Sequence, residues 1–509
     1  MGKQFSIILI MMLLRYAATG QTPPTLQITN NNGIAAMSWS LNSFPFFSLQ
    51  TTTNLSSPII WNDVSLASGA GMANLPMTNS QQFFRLTEMT PIFQFAIFYN
   101  INMEISPGGA MDINGPVFCN QGIWAAASSL TFSSSVIAAG LISTNYLSPG
   151  DPFMTPGSKA SSGYPTFKVP PISGAGILNF PIFGTNNDPA SIEALLQLPP
   201  MPLGSATAYS PTGQVYFVNQ AELVITNSPS GGNLQVFYQN SNNVPALTLV
   251  PMDQTNFYSF VSSTNFYDYR EDKIVQAIFL NVTNLNTWLT NTSALGGSGF
   301  NNLNITDTGN GINSIFIYNS IPMTFSSLPG VQVGKGQQLP PWGLTIVTPD
   351  ALYTVGNFNS QTSAGNDAGQ NATTYTEPAA LYADAITVLS ANWLDSSNTG
   401  SGIYAILSNR IAVSTTINAA VLEGIVPSSG TNYSGGVENF LRLQENWGPE
   451  ATLTYNGSIV VMFPSQYATN IWNGSVFGVP ERKWAFDLNF TNQTGLPPLT
   501  PSVLNYVTP

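Results

Sequence analysis

The sequence predicts an all-β protein, with a small β-sandwich followed by a larger β-solenoid-like (parallel β-helix) body that carries a few short helices. Along most of the 509 residues, short apolar runs alternate with turns of Gly, Asn, Ser and Pro, which is the pattern of many short strands. Hydrophobic residues make up 43% of the chain, enough for a large core. Charged residues make up only 7%, against about 25% in a typical domain, so neutral polar side chains must solvate the surface.

The first twenty residues have the pattern of a secretory signal peptide. Lys3 gives a positive start, residues 5–14 (FSIILIMMLL) form an apolar run, and residues 18–20 (ATG) offer small side chains before a cut at Gln21. A helix of about ten residues spans about 15 Å, half of the roughly 30 Å hydrocarbon core of a membrane. An uncleaved interfacial helix is the alternative. We therefore expect a secreted or cell-surface protein whose mature chain has no membrane span.

Residues 22–90 are expected to form the β-sandwich. Trp39 and Trp61 would fill the core between two sheets. Five short runs alternate apolar residues between turns, at 26–28, 36–39, 47–52, 74–77 and 83–86. The segment 49–55 (LQTTTNL), Trp61 and the closing FFRL at 83–86 resemble the fibronectin-type-III-like modules of bacterial secreted proteins. This resemblance implies a spacer or adhesive domain.

Residues 92–501 are expected to form the solenoid. After the apolar run at 92–99, very short strands recur every six to eight residues, at 103–105, 111–113, 117–119, 122–124, 130–132 and 136–138. Such regular, short strands suit a β-solenoid, and a meander of hairpins is the alternative. A Pro/Gly/Ser-rich stretch near 148–203 predicts a long surface excursion, and residues 502–509 are expected to form a polar tail.

Later apolar runs at 314–318, 343–347, 385–389 and 417–426 continue the β pattern. The best helix candidate is 434–447 (SGGVENFLRLQENW), where Val437, Phe440 and Leu441 would form an apolar face. On such a helix Glu438, Arg442 and Glu445 would lie on one surface. They predict local salt bridges, with a partner-binding face as the alternative.

Several classes of chemistry are excluded by composition. The chain has no histidine, which removes histidine-dependent catalytic triads and histidine-ligated metal sites. Its one cysteine, Cys119, allows no internal disulfide, and its apolar surroundings indicate a buried side chain instead of a reactive thiol. Twelve basic residues and a net charge of −12 argue against nucleic-acid binding. We expect no cofactor.

The densest group of charges is Asp268, Arg270, Glu271, Asp272 and Lys273. The favoured interpretation is a set of mutual ion pairs on a strand edge. The alternative is a catalytic site, in which paired carboxylates act as acid and base on a sugar and the arginine holds a substrate carboxylate.

A glycine-rich loop at 307–311 (DTGNG) offers Asp307 as a weak metal-ligand candidate. The loop lacks the later glutamate of a calcium-binding EF-hand. We therefore expect no metal site.

Residues 92–501 also contain segments that, together and in this order, resemble a large family of uncharacterised bacterial exported proteins, some with a PilX-like pilus-assembly N-terminus. The segments are 95–99 (FAIFY), 103–115 (MEISPGGAMDING), 266–273 (FYDYREDK), 343–353 (GLTIVTPDALY), 355–359 (VGNFN), 383–390 (ADAITVLS), 433–440 (YSGGVENF), 446–447 (NW), 455–458 (YNGS), 465–469 (SQYAT) and 482–487 (RKWAFD). The resemblance implies a surface-associated β-rich body linked to pili or adhesion, with no established activity. This chain begins with a signal peptide and a sandwich module instead of a pilus-assembly helix, so a direct pilus role does not follow.

Two functions are compatible with these observations. The favoured one is an exported bacterial surface or extracellular structural or adhesion protein without catalytic activity, with a polysaccharide or other cell-surface proteins as partners. The alternative is a carbohydrate-active β-solenoid enzyme, a lyase or glycosidase that works through carboxylates. An exposed cleft with two or three carboxylates about 5–9 Å apart would favour the enzyme.

Overall fold

The computed structural model describes residues 26–31, 34–38, 46–55, 62–63, 72–76, 81–144, 163–180, 187–203, 205–209, 213, 215–239, 249–251, 257–290, 312–361, 373, 376–428, 434, 436–472 and 474–505. The predicted signal peptide at 1–20, Trp39, Trp61 and Asp307 lie outside the described residues.

Strands dominate the described part of the chain, which confirms the all-β prediction. In chain order they are β1 (Gln27–Asn31), β2 (Ile34–Ser38), β3 (Phe46–Thr52), β4 (Asn62–Asp63), β5 (Met72–Pro76), β6 (Phe83–Pro91), β7 (Ile97–Tyr99), β8 (Met103–Ile105), β9 (Met111–Ile113), β10 (Val117–Cys119), β11 (Ile123–Ala125), β12 (Leu130–Phe132), β13 (Val136–Ala138), β14 (Ile142–Ser143), β15 (Thr166–Phe167), β16 (Ile172–Ser173), β17 (Leu178–Asn179), β18 (Leu223–Asn227), β19 (Leu234–Gln239), β20 (Leu249–Pro251), β21 (Val261–Asp268), β22 (Lys273–Asn281), β23 (Ser314–Tyr318), β24 (Ser327–Gly336), β25 (Leu344–Val347), β26 (Ala351–Phe358), β27 (Ala379–Ala383), β28 (Ala385–Leu389), β29 (Thr415–Asn418), β30 (Ala420–Ile425), β31 (Thr452–Gly457), β32 (Ile459–Pro464), β33 (Glu481–Phe486) and β34 (Ser502–Asn505).

The helices are short. The α-helices are α1 (Pro189–Glu193), α2 (Phe217–Gln220) and α3 (Val282–Thr290). Single 3-10 turns lie at Ile92–Gln94, Ala206–Tyr209, Ile403–Ala405, Leu407–Asn409, Val437–Asn439, Leu488–Thr491 and Gln493–Gly495. Among the helices of the described ranges, none is long and apolar enough to cross a membrane.

The chain divides into two compact units. The first unit comprises Met1–Ile92, Gly176–Asn186 and Pro501–Pro509. The second unit comprises Phe93–Ala175 and Asn187–Thr500.

The first unit contains two antiparallel sheets around a small apolar core. One sheet has the order β1-β2-β5 and the other has the order β17-β34-β6-β3-β4. Both sheets contribute to the core, which is formed by Leu26, Ala35, Met37, Leu49, Ala73 and Phe84. The prediction of a polar tail from residue 502 is wrong for Ser502–Asn505, because this segment pairs with β6 and buries Val503.

The second unit is a parallel β-solenoid, as the short strands predicted. Between residues 97 and 173 each complete winding, here called a coil, contributes one strand to each of three parallel ladders. The ladders are β7-β10-β13-β16, β8-β11-β14 and β9-β12-β15. Because the coils are in register, like residues stack: Phe98 pairs with Phe118, and their ring centroids are 5.9 Å apart.

Part of the Pro/Gly/Ser-rich stretch near 148–203 belongs to these units instead of forming one surface excursion. Thr166–Phe167 and Ile172–Ser173 add strands to the ladders of the solenoid, and Leu178–Asn179 adds a strand to the first unit. Further along, Asp188 caps α1 by accepting a hydrogen bond from the backbone N–H of Ser191 (3.2 Å).

The coils are not stacked in chain order. The longest sheet has the order β16-β13-β10-β7-β32-β30-β27-β25-β23-β18-β19-β20, and its strands are parallel from β16 to β18. Ile97 at the start of the solenoid therefore pairs with Ile459 near its end. The chain winds outward from the middle of the stack, returns to the opposite end and winds back to the middle. We call the contact between β7 and β32 the seam.

A second large sheet runs alongside the coils of the later part of the chain. Its order is β21-β22-β24-β26-β29-β31-β33, and β28 pairs with β26. Sharp corners join the two large sheets, such as the corner between β29 and β30 at Ala419 and the corner between β31 and β32 at Ser458. Asparagines stack at these corners: the Nδ2 of Asn456 donates to the Oδ1 of Asn418 (2.7 Å), and the Nδ2 of Asn418 donates to the carbonyl of Asn359 (2.9 Å).

The helix predicted at 434–447 does not form. Only Val437–Asn439 makes a 3-10 turn, and the following residues are extended across the solenoid. The N–H of Arg442 donates to the carbonyl of Ile386 (2.8 Å), and the carbonyl of Arg442 accepts from the N–H of Val388 (2.9 Å). Pairing with β28 of the adjacent coil therefore replaces the hydrogen bonds of a helix.

Replacing Gly457 by alanine tests how tightly successive coils approach at a corner. A Cβ at this position would lie 1.9 Å from the carbonyl oxygen of Ala419, which is backbone and cannot rotate away. We expect the free energy of unfolding to fall by about 1–3 kcal/mol, as measured by chemical denaturation. Gly108→Ala is the matched control, since no atom lies within 4 Å of the added Cβ. Equal effects of the two substitutions would contradict the predicted corner contact.

Candidate functional site

The charge group predicted from the sequence lies at the turn between β21 and β22, and most of it is buried. Asp268 is 1% exposed and Glu271 is 2% exposed. The Oδ1 of Asp268 accepts hydrogen bonds from the backbone N–H groups of Arg270 (2.7 Å) and Glu271 (3.0 Å), and its Oδ2 accepts from the hydroxyl of Tyr353 (2.7 Å). The expectation of ion pairs on a strand edge is wrong, because these groups shape a buried turn.

Glu271 forms an ion pair with Arg442, a residue 171 positions away. The Glu271 carboxylate also accepts backbone N–H groups from Thr469 (3.0 Å) and Asn470 (3.1 Å). The Nη1 of Arg442 donates to the carbonyl of Ala468 (2.6 Å). This ion pair therefore connects the charge cluster at 268–273 with the segment at 434–447 that was predicted to be a helix.

The other two members of that predicted helix surface are also buried. Glu438 accepts a hydrogen bond from the backbone N–H of Ser106 (3.1 Å). Glu445 accepts hydrogen bonds from the backbone N–H (2.6 Å) and hydroxyl (2.8 Å) of Ser390. The partner-binding face proposed for Glu438, Arg442 and Glu445 is therefore wrong, because none of the three side chains lies on an exposed helix surface.

Other buried carboxylates also accept hydrogen bonds from backbone amides, and they were not predicted from the sequence. Asp384 accepts from the hydroxyl of Ser465 and from three consecutive backbone N–H groups, at 466–468. Glu423 accepts from the backbone N–H of Ile386. The buried acidic residues of the described ranges are Glu104, Glu193, Asp268, Glu271, Asp350, Asp384, Glu423, Glu438, Glu445 and Asp487. A carboxylate flanked by apolar residues inside a strand, as in AVLEGI at 420–425, was the available signal.

Burial raises the pKa values of several of these carboxyl groups. Desolvation raises the pKa of Asp350 to about 7, although hydrogen bonds from the N–H of Asn319 and the hydroxyl of Thr348 oppose the shift. Desolvation likewise raises the pKa of Glu445 to about 7 and that of Glu423 well above its usual value.

These positions do not suit acid–base chemistry on a polymer. Asp268 and Glu271 are buried and hydrogen-bonded to backbone amides, so a sugar outside the solenoid does not reach them. Arg270 is buried as well, and its Nε donates to the carbonyl of Asn470 (3.2 Å). Asp272 is exposed in a left-handed conformation (φ 58°) and accepts a hydrogen bond from the hydroxyl of Tyr267.

The first open cleft in the second unit contains two carboxyl groups. This Glu377 cleft has a volume of about 220 Å³ and is lined by Thr376, Glu377, Pro378, Asp487, Asn489, Phe490, Asn492, Thr494 and Gly495. Burial raises the pKa values of both Glu377 and Asp487. Asp487 is held by hydrogen bonds from the hydroxyl of Thr373 and the N–H of Asn489 (2.9 Å).

The second open cleft combines amide, aromatic and charged side chains. This Arg410 cleft has a volume of about 200 Å³ and is lined by Asn392, Trp393, Asn398, Tyr404, Asn409, Arg410, Ile411 and Glu445. Most of these residues lie on the loop between β28 and β29, residues 390–414. The Arg410 guanidinium stacks on the ring of Tyr269, with 3.6 Å between its Cζ and the ring centroid.

Two further sequence predictions concern metals and the cysteine. Across the described ranges, no group of three or more His, Cys, Asp or Glu side chains is arranged to hold a metal ion. Cys119 is buried, as predicted, and its thiol lies 3.3 Å from the carbonyl oxygens of Ile101 and Gly122. Desolvation raises the pKa of this thiol to about 12, so the reactive thiolate does not form near neutral pH.

No family model, curated protein or solved structure matches the chain. The resemblances to a pilus-related exported family and to fibronectin-type-III-like modules therefore stay predictions from the sequence motifs.

Proposed function

We propose that the chain is an exported structural or adhesive protein of a bacterial surface, without catalytic activity. The observation that carries this proposal is the burial of charge. Of 24 acidic residues, ten are buried in the described ranges, where they bind backbone amides or other polar groups of the fold. Most of these carboxylates hold turns and coils of the fold together, and Glu445 and Asp487 also line open clefts.

The same burial leaves few charges for the surface of a chain that has only 36 Asp, Glu, Lys and Arg residues in all. Proteins with little surface charge associate readily, because electrostatic repulsion does not keep the copies or their partners apart. A surface with few charges suits lateral contact with a polysaccharide or with other cell-surface proteins. The predicted signal peptide would deliver the chain to that location.

Protease treatment of intact cells tests the location. We expect external protease to remove the chain from intact cells, while a cytoplasmic marker protein survives. Replacing two leucines of the apolar run at 5–14 by arginine should leave the chain inside the cell, because the run then no longer acts as an export signal. A native chain that resists external protease and is absent from the medium until the cells are lysed would contradict the proposal.

The Glu377 cleft favours a second candidate function, that of a carbohydrate-active enzyme. Two carboxyl groups line this one cleft, and glycosidases use a pair of carboxyl groups, one as acid and the other as base or nucleophile. The test is release of reducing ends or unsaturated products from a panel of polysaccharides. Activity that is lost in both Glu377→Gln and Asp487→Asn, and kept in Asp112→Asn on the exposed solenoid surface, would replace the structural proposal.

A further inference from the structure

The loop that carries the Arg410 cleft is held in one conformation by its own side chains. The Nε of Arg410 donates to the carbonyl of Gln444 (2.9 Å), and Nη2 donates to the carbonyl of Val476 (3.0 Å). Its Nη1 donates to two carbonyls of the loop itself, those of Tyr404 (2.8 Å) and Ala405 (3.1 Å). Arg410 therefore fastens the loop to two neighbouring coils, and its hydrogen bonds preorganise the cleft.

Two of the amide side chains that line the cleft use their N–H donors within the protein and leave their oxygen acceptors available. The Nδ2 of Asn392 donates to the carbonyl of Ile411 (3.2 Å), and the Nδ2 of Asn409 donates to the carbonyl of Ile403 (2.7 Å). Within the described ranges, their Oδ1 atoms and the hydroxyl of Tyr404 have no hydrogen-bond partner in the protein. Fixed acceptors and a phenol that both donates and accepts are thus available to a ligand.

The same loop carries a concentration of exposed apolar side chains. Leu394, Ile403, Ile406 and Ile411 are between 57% and 66% exposed. Ile411 lines the cleft itself, and the other three lie on the same loop. Exposed apolar side chains concentrated on one loop mark a binding surface more strongly than scattered ones do. A ligand that fits both features must present hydroxyl groups on its edge and an apolar face.

The charged side chains of the cleft indicate whether its ligand carries a charge. Arg410 is its one cationic side chain and Glu445 its one acidic side chain. The guanidinium is already bound to four carbonyls and to the ring of Tyr269, so it does not offer an open fork to a phosphate or carboxylate. The cleft therefore suits an uncharged molecule. Its volume of about 200 Å³ leaves room for one sugar ring.

We propose that the Arg410 cleft binds one residue of an uncharged polysaccharide, with its hydroxyls on the amide and phenol groups and its apolar face on the exposed side chain of Ile411. The inference rests on the proposed adhesive function, because it supplies the ligand for adhesion. Neighbouring sugar residues would extend along the loop, where Leu394, Ile403 and Ile406 are exposed.

Affinity electrophoresis of the purified chain in gels that contain cellulose derivatives, soluble chitin, starch, mannan or galactan tests the inference. We expect at least one neutral polymer to retard the chain, with a retardation unchanged by 0.5 M salt. Tyr404→Ala and Ile411→Ser should each weaken the association constant about tenfold. Tyr404→Phe, which keeps the ring, should have a smaller effect that reports loss of the hydroxyl alone.

Matched controls separate binding from folding. Tyr258→Ala and Ile274→Ser change exposed side chains of the same types outside the loop and should leave retardation unchanged. Equal melting temperatures of all variants would show that folding is intact. Failure of every neutral polymer to bind, binding only to charged polymers, or retardation that the loop variants leave unchanged would each overturn the inference. Protease accessibility on intact cells does not depend on polysaccharide binding, so the surface location is tested independently of this inference.

Discussion

Replacing Arg442 by alanine is expected to lower the free energy of unfolding by about 3–5 kcal/mol. The substitution leaves the Glu271 carboxylate buried without its countercharge, and it removes the hydrogen bond that Arg442 donates to Ala468. Two backbone N–H groups still bind Glu271, but they do not supply a full positive charge. Chemical denaturation at neutral pH, monitored by tryptophan fluorescence, measures the loss.

Two further variants show whether the buried charge is the cause. Lys483→Ala breaks the pair with Glu481, whose N–O distance is 3.8 Å and whose side chains are 44% and 56% exposed. The expected change is within about 0.5 kcal/mol, because water and salt screen an exposed pair. The double variant Glu271→Gln with Arg442→Met should recover part of the loss by removing both charges. A loss below about 1 kcal/mol for Arg442→Ala would show that Glu271 reaches water and that the pair does not hold the coils.

Replacing Asp350 by asparagine is expected to stabilise the protein at pH 8 by about 2–4 kcal/mol. Burial raises the pKa of this carboxyl from 3.8 to about 7, and each pKa unit corresponds to about 1.36 kcal/mol. Below pH 4 the native and unfolded states both keep the proton. Between about pH 4 and pH 7 the unfolded chain releases it while the native state retains it, so the free energy of unfolding falls as pH rises. Above about pH 7 the native state holds a buried charge that asparagine avoids.

Denaturation curves at pH 5 and pH 8 measure this effect. The native protein should be more stable at pH 5, because the pKa values of Glu193 and Glu445 are also raised to about 7. Asp350→Asn should reduce the difference between the two pH values, and the exposed control Asp112→Asn should not. A native protein that is more stable at pH 8 than at pH 5 would contradict the assignment of buried, raised carboxyl pKa values.

The local features of the solenoid could be predicted from the sequence. Predicted strands at 103–105, 111–113 and 117–119 coincide with β8, β9 and β10, because each coil places an apolar pair inside and a turn residue at the corner. The spacing of apolar residues at 434–447 predicted a helix that does not form. Apolar residues at 437, 440 and 441 also suit an extended segment whose partner strand, β28, is supplied by another coil.

The long-range features could not be predicted, for a physical reason. A recurrence of short strands indicates that the chain forms coils, but it does not indicate on which coil another one stacks. Nothing local connects Glu271 with Arg442, because 171 positions separate the two residues in the sequence. The Arg410 cleft was missed because its residues, Asn392 to Ile411 and Glu445, become neighbours only when the loop crosses two coils.

Because of the seam, the two halves of the solenoid are completed at different times. Residues 97 and 459 pair directly, yet 362 positions separate them. The chain emerges from its N-terminus onward, so β7 is available to pair before β32 is. During that interval β7 is an open edge that another strand can occupy. The stack is therefore closed last at its centre, and a second copy of the chain that supplies its own β32 first would yield an exchanged dimer.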